Sequence, residues 1–452
     1  MIVRKMSVSL ALLAGLMMVG LGLQPVSAGQ PSYDTLRIDG PSQALPYEVW
    51  VAWTPLIVPV PDGGAWAFFS AQVVNPDATI GTKKLYASRL DPATGTWNSA
   101  VPFNGGQIQF GPSAVVDSQG TVHLVYTDRA DDQETTFGQL VYVKSIAEGG
   151  WTDPIAVGPN ENAGHQLSPE LVLDKNGGLH AAWQDQRSVD AESRVAAASN
   201  ADIFSSDLGA DGAWTAPVQI SVRPDATTNG SRPQLGTDGD RLVAVWSIYN
   251  GDSGLDTAAR LEWSTRPIDG STGWSAPQVL LERGDAQIGG RLLDLASDRN
   301  GGVVLVYGSR TTTANTLLSQ RLQAAATSWD APIVLTQGDR GSFPSATIAP
   351  DGSVVVAYNV GSGGTVQAGA VVLIPGAPRG SVETILTAGE DGAQGRPMIV
   401  IDANSRLWVI YMHEPTGGVA NEIRVIRGAT LSTELAPETP PATPVAAASP
   451  AA

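Results

Sequence analysis

A short apolar strand, a turn built on Asp and Gly, and a second apolar strand ending in an aromatic recur seven times along this chain of 452 residues. The copies begin at Pro55, Pro112, Pro169, Pro233, Leu293, Pro344 and Pro397, on average 57 residues apart. PSAVVDSQGTVHLVYTD from Pro112 and PELVLDKNGGLHAAWQD from Pro169 show the pattern most clearly. Between copies lies a second hairpin signal, a loose turn and a Trp followed closely by Pro and a β-branched run. It occurs at Trp97, Trp151, Trp214, Trp274 and Trp329, and the sixth copy, APRGSVETIL, lacks the Trp.

Each unit is therefore two hairpins, or four short strands, with the alternation of a pleat in runs such as Val122, Leu124 and Tyr126. One four-stranded unit cannot cover both its faces. Several in a closed ring cover one another and leave few open edges. The expectation is an all-β chain forming a seven-bladed β-propeller of four-stranded antiparallel blades; six or eight blades fit the spacing less well. Composition agrees: 42% of residues are apolar, Gly and Pro are frequent at 50 and 31 residues, and only 16% are charged, against about 25% in an ordinary soluble domain. Such a chain is not a coiled coil. The absence of Cys excludes disulfides, thiolate metal sites and Cys nucleophiles. The seventh unit lacks a fourth strand after Glu422–Arg427, and Tyr33–Asp39 is expected to supply it and latch the ring. The extended stretch Tyr47–Trp53 has no place in this scheme.

The ends read differently. Arg4 and Lys5, the apolar run Met6–Leu23 and the small residues Val26-Ser27-Ala28 form a secretory signal over residues 1–28. From Glu434 the chain reads ELAPETPPATPVAAASPAA, whose five prolines in 19 residues cannot bury enough surface to fold. The propeller domain is thus expected over 29–433, in an exported chain that is secreted or associated with the cell surface, with no membrane insertion after cleavage. The formal charge is −17; removing the signal takes away Arg4 and Lys5 and no acid, which leaves −19. A surface this acidic repels nucleic acid and anionic lipid. The expected partner is an extracellular glycan or protein; the sequence leaves the oligomeric state open.

In every unit the first strand runs from the Pro rim to the Asp-Gly turn and the second returns. Tight turns gather on one face, and the longer loops, such as Asp128–Gln139, Asp185–Ser193 and Ile248–Ala259, gather on the other, where binding residues concentrate. Arg232 and Arg396 directly precede the Pro of an inner strand, and Arg291 lies two residues before Leu293. Three guanidinium groups at the channel mouth could hold the carboxylate of a sialic or uronic acid; the bland alternative pairs each with a neighbouring Asp. Arg129, Arg187, Arg310 and His413 share that rim. Asp185 and Glu414 are candidate acid/base groups if buried, with Tyr411 a further catalytic candidate. Trp183, Trp246, Tyr307, Tyr358 and Tyr411 end second strands and could stack on sugar rings. His123 and His180 occupy matching strand positions, which points to structure. No cofactor is expected; Asp128, Asp131, Asp132 and Glu134 offer oxygen ligands for Ca²⁺ but no recognisable ligand loop.

The turn-Trp-x-x-Pro segments resemble the bacterial neuraminidase repeats of sialidase-like β-propellers. Ser205-x-Asp207-x-Gly209, five residues before Trp214, resembles an extended Asp-box, and Asp269-Gly270 before Trp274 is a weaker echo. The likeness covers most of residues 33–433. It implies the fold, with the Asp-boxes on the face away from the catalytic pocket. The family's activity would need three Arg, a Tyr and Glu pair and an Asp acid/base. This chain departs from it: sialidases are six-bladed, Leu36-Arg37-Ile38-Asp39 only faintly echoes an Arg-Ile-Pro opening, and no motif places the Tyr and Glu. The leading expectation is a secreted propeller recognising an extracellular ligand, carbohydrate in chemistry, on its long-loop face. A sialidase-like exo-hydrolase of acidic sugars and a structural or protein-interaction propeller are the alternatives.

Overall fold

The computed structural model describes residues 36–431 except 38–41, 50, 75–78, 132–135, 147–148, 159–163, 189–200, 224–227, 251–259, 283–286, 299–300, 311–314, 337–339, 362–364, 382, 403 and 418–420. The expected signal segment and Pro-rich tail lie outside them. The described residues contain no α-helix. They form six four-stranded antiparallel sheets and a seventh completed from the chain's start.

The innermost strands are Val51–Pro59, Ile108–Val116, Gln166–Leu173, Thr228–Thr237, Gln287–Ser297, Arg340–Ile348 and Ala393–Ile401. Each touches the innermost strand of the next blade, and the seventh touches the first, so the ring is closed. The second strands carry the repeated aromatic and run two to five residues beyond it, as in Val122–Arg129 past Tyr126 and Ala65–Val74 past Phe69. In six blades the outermost strand is cut short, to two residues in five of them, as at Val101–Pro102 and Ile155–Ala156.

Closure uses more of the N-terminal region than the sequence suggested. Leu36 and Arg37 pair with Leu431 and Thr430, within the expected latch. The longer part of the outer strand is Gln43–Val49, which pairs with Asn421–Val425 of the last third strand. The stretch left unassigned is thus divided between this latch and the start of the first inner strand at Val51.

Seven apolar clusters fill the seven seams between blades, and each contains one repeated aromatic: Phe69, Tyr126, Trp183, Trp246, Tyr307, Tyr358 or Tyr411. The ring of blade n packs on blade n−1, which explains why a bulky residue must recur at this position. Truncating one to Ala would cost about 3–5 kcal/mol.

Polar clips join the same seams. Ser113 Oγ accepts from the Leu171 N–H at 3.0 Å, Asp294 Oδ2 from Ala346 at 2.6 Å and Ser345 Oγ from Ile399 at 3.1 Å. All three acceptors stand at the same inner-strand position, one residue past the Pro or its counterpart Leu293. Gln166 Oε1 accepts from the Leu140 N–H of the preceding blade at 2.8 Å, and Asn229 Oδ1 from Ala201 at 3.0 Å. These satisfy third-strand donors that the shortened outer strands leave open.

The Asp-Gly turns close on the opposite face. Asp117 Oδ1 accepts from Gln119 and Thr121, and Asp174 Oδ1 from Asn176 and Gly178. His180 bridges Asp174 and Asp207 at 3.0 and 2.7 Å, and His123 bonds the Tyr142 hydroxyl at 2.7 Å, so both histidines are structural. Burial pushes the Asp207 carboxyl upward, but His180 and Arg266 outweigh it and hold the group below the usual range.

Candidate functional site: the channel mouth

Each inner strand carries an irregularity just past its start. In six blades one extra residue intervenes, so that Phe110 pairs with Thr127 but Ser113 with Val125, and Gly395 pairs with Met412 but Met398 with Ile410. A bulge of this kind re-aims a side chain and sharpens the local twist. The residue that adopts the left-handed conformation is Gly111 in blade two, as sterics favour. In other blades it is Ser168, Arg232, Phe343 and Arg396, with φ of 50°, 52°, 52° and 53°. Each directly precedes Pro, which removes a donor the bulge could not satisfy. Bulky residues held at positive φ cost of order 1 kcal/mol or more each, and such strain concentrates at functional sites.

These residues meet cations and rings at the mouth. The Arg396 guanidinium lies over the Phe343 ring, 5.0 Å from its centroid, and the Arg396 N–H donates to Asn359 Oδ1 at 2.8 Å. On the other side of blade one, Lys83 Nζ lies 5.0 Å from the centroid of Phe110. Burial, and then the nearby Arg396 charge, lower the Lys83 ammonium to about 8. Its neighbour Lys84 donates to the Gly105 and Gly106 carbonyls. Two of the chain's five lysines thus stand at the mouth of an otherwise acidic protein. Two like charges drawn together raise each other's energy, and an anion between them would lower it.

Among the arginines expected at this rim, Arg396 and Arg232 occupy equivalent bulge positions in blades seven and four. Arg291 falls in the irregular stretch of the fifth inner strand between Ile288 and Leu293; its side chain, like that of Arg310, lies outside the description. Arg187 is committed elsewhere: its Nε donates to Asp185 at 2.9 Å and Nη2 to the Gly158 carbonyl at 3.0 Å.

The aromatic expectation is corrected. Trp183 and Trp246 are 0% exposed, and Tyr307, Tyr358 and Tyr411 are equally enclosed, because their faces fill the seams. None offers a ring to a sugar. The acid/base expectation changes as well. Asp185 is fully buried; its Oδ1 accepts from the Arg187 N–H and its Oδ2 from Arg187 Nε, Trp183 Nε1 and Gln166 Nε2, which fixes the carboxylate in place. The buried Tyr411 hydroxyl donates to Glu390 Oε1 at 2.6 Å, Ser42 donates to the same oxygen at 2.7 Å, and Arg424 stands 3.5 Å from the other. This network ties the N-terminal latch to the last blade, and burial followed by the Glu390 bond pushes the phenol far up. Glu414 is exposed on the rim. His413 is buried between the Asp391 carbonyl and Glu422.

Of the acidic loop considered for Ca²⁺, Asp132 and Glu134 lie outside the described residues, and Asp128 Oδ1 accepts the Gly106 N–H at 2.9 Å. Among the described residues no group of three or more His, Asp or Glu is placed to hold a metal ion.

Sequence reasoning missed Lys83, Phe110 and Phe343. Phe343 could have been found, since it fills the pre-Pro slot of Arg232 and Arg396. Lys83 carried no signal, because it reaches the mouth from a third strand.

No protein-family model matches the sequence, and no curated protein does. Solved structures do. A polysaccharide lyase of the PL25 ulvan lyase family, bound to -[GlcA(1-4)Rha3S]-, aligns with 86% of this chain and 96% of its own at 12% identity and a TM-score of 0.55. A protein of unknown function from Dyadobacter fermentans covers 87% and 99% at 13% identity and 0.52. The NanB sialidase of Streptococcus pneumoniae covers 88% and 70% at 12% identity and 0.45. The chain has a seven-bladed β-propeller fold. At such identities the likeness establishes the fold and nothing finer.

Proposed function

We propose that this chain is a secreted carbohydrate-binding propeller that takes an acidic saccharide at its channel mouth. The observation that carries the reading is that two cations of this rim, Lys83 and Arg396, each lie over an aromatic ring, the latter in a strained bulge, and that the charge of Arg396 reaches Lys83. A uronate or sulfate group carries charge opposite to that of both side chains. The exposed parts of Phe110 and Phe343 suit the apolar face of the attached sugar. An acidic surface around a basic mouth also disfavours polyanions that cannot insert a single group. The ulvan lyase neighbour was solved with a saccharide containing a uronic acid and a sulfated rhamnose, which agrees with this ligand class by analogy of fold alone.

Hydrolysis of sialidase type is less well supported. Asp185 is fully buried and held by four donors, away from solvent, and Tyr411 is enclosed in the latch network. Binding without chemistry is the reading the described residues favour.

The test is a calorimetric titration with glucuronate- and galacturonate-containing tetrasaccharides and their neutral counterparts. Acidic ligands are expected to bind, and Arg396→Ala to weaken them at least tenfold, the size of one charge-assisted contact. Equal binding of acidic and neutral ligands would remove the proposal.

A further inference from the structure

A cleft of about 820 Å³ runs along the periphery of the seam between blades one and two, away from the channel mouth. Trp66, Trp151, Val101, Asn98, Asn104 and Tyr126 line it. The indoles of Trp66 and Trp151 meet edge to face at 5.1 Å, and Trp151 also packs on Phe68 and Phe103 at 5.5 and 5.2 Å. Two of the most exposed large apolar side chains of the described residues, Val101 at 63% and Ile146 at 42%, border this same cleft.

Three of its polar groups are unspent. The Asn98 and Asn104 amides make no side-chain hydrogen bond among the described residues. The Tyr126 hydroxyl is buried without a partner. Most polar counterparts in the repeat are paired. Four of the six counterparts of Tyr126 bond a carboxylate in their own seam: Tyr358 to Glu383, Tyr411 to Glu390, Trp183 to Asp185 and Trp246 to Glu262. A buried hydroxyl without a partner costs about 1–3 kcal/mol, so an acceptor brought to it is favoured.

The cleft's charge points to the ligand's. Arg89 is paired with Asp62 and lies over Trp66, while Asp153 adds an exposed carboxylate. An anionic ligand finds no unpaired cation there. Apolar ring faces, amides that bond vicinal hydroxyls in pairs and an orphan phenol match the alternating C–H and O–H surface of a neutral sugar. We infer that this peripheral cleft is a second saccharide site, one that takes a neutral oligosaccharide lengthwise. It is independent of the anion site at the mouth.

The experiment titrates the full chain with xylotetraose, cellotetraose and mannotetraose by calorimetry, alongside Asn98→Ala, Tyr126→Phe and Arg396→Ala. Asn98 is exposed, so Asn98→Ala should melt like the parent; Tyr126→Phe removes a buried hydroxyl without a partner and should melt no lower. At least one saccharide is expected to bind. Asn98→Ala and Tyr126→Phe should each weaken it several-fold, the effect of one hydrogen bond, and Arg396→Ala should not change it. The inference is overturned if none of the three binds, if affinity survives both cleft variants, or if Arg396→Ala abolishes it.

Discussion

Arg396 and Phe343 stand in equivalent left-handed bulges of neighbouring blades, and the guanidinium of one covers the ring of the other at 5.0 Å. Blade two meets the same backbone requirement with Gly111. The protein therefore holds two large side chains where glycine would be easier, and gains from it a cation fixed at the mouth of the channel.

Exchanging Arg396 for Gly should separate stability from binding. Relief of the positive-φ strain, about 1 kcal/mol, is partly offset by the extra freedom of glycine in the unfolded chain. The Asn359 bond is to the backbone and remains. The variant is expected to melt no lower than the parent and to lose acidic-saccharide affinity at least tenfold. Thermal denaturation with titration of the same sample checks both. A marked drop in melting temperature would mean that the stacking matters more than the strain.

Lys83 sets a pH dependence. Its folded value, about 8, lies below the ordinary 10.5. Between these values the folded chain binds fewer protons than the unfolded one, so this group's contribution to stability rises with pH across that window. Binding goes the other way: affinity for an acidic saccharide should fall as pH rises through about 8. Lys83→Met should bind weakly throughout and show no such fall.

His165 is buried, and burial followed by the Arg129 charge lowers it to about 4. Its Nδ1 accepts the Gly138 N–H at 2.9 Å, which leaves the proton on Nε2. With the folded value depressed below the ordinary 6.5, stability is fully present above that pH and is lost as pH falls toward 4. His165→Asn keeps an acceptor for Gly138 and should flatten the stability profile between those limits, as read by denaturant melts.

Glu170 occupies in blade three the inner-strand position that Asp294 holds in blade five, and burial followed by the Asp294 charge pushes it well above the usual carboxylate range. The folded chain then holds a proton that the unfolded chain releases, so stability falls as pH rises past the ordinary 4.5. Glu170→Gln should melt higher than the parent at neutral pH and no higher in mild acid. A lower melting temperature at neutral pH would show that the carboxylate is doing needed structural bonding.

The blades were legible because their cause is periodic. Apolar alternation, Asp-Gly turns and the aromatic of each second strand report local backbone geometry and seam filling, and both repeat along the chain. The latch was only partly legible: Gln43–Val49 pairs with residues near Asn421, and such long-range pairing leaves no local mark. The mouth was legible where a repeat slot holds an unusual residue, as at Arg232 and Arg396. The same aromatics that revealed the blades also qualified as sugar platforms by position, because sequence gives a strand position but not which of its faces is covered. Lys83 depends on a third strand reaching over blade one toward Phe110, a relation that exists only in three dimensions.

The most direct measurement is a crystal structure of the chain with a uronate-containing tetrasaccharide. The account predicts the carboxylate between Arg396 and Lys83, with the sugar ring against Phe110 or Phe343. Density for the acidic group on the opposite, Asp-turn face, or at the rim beside Arg187 without contact to Arg396, would contradict it.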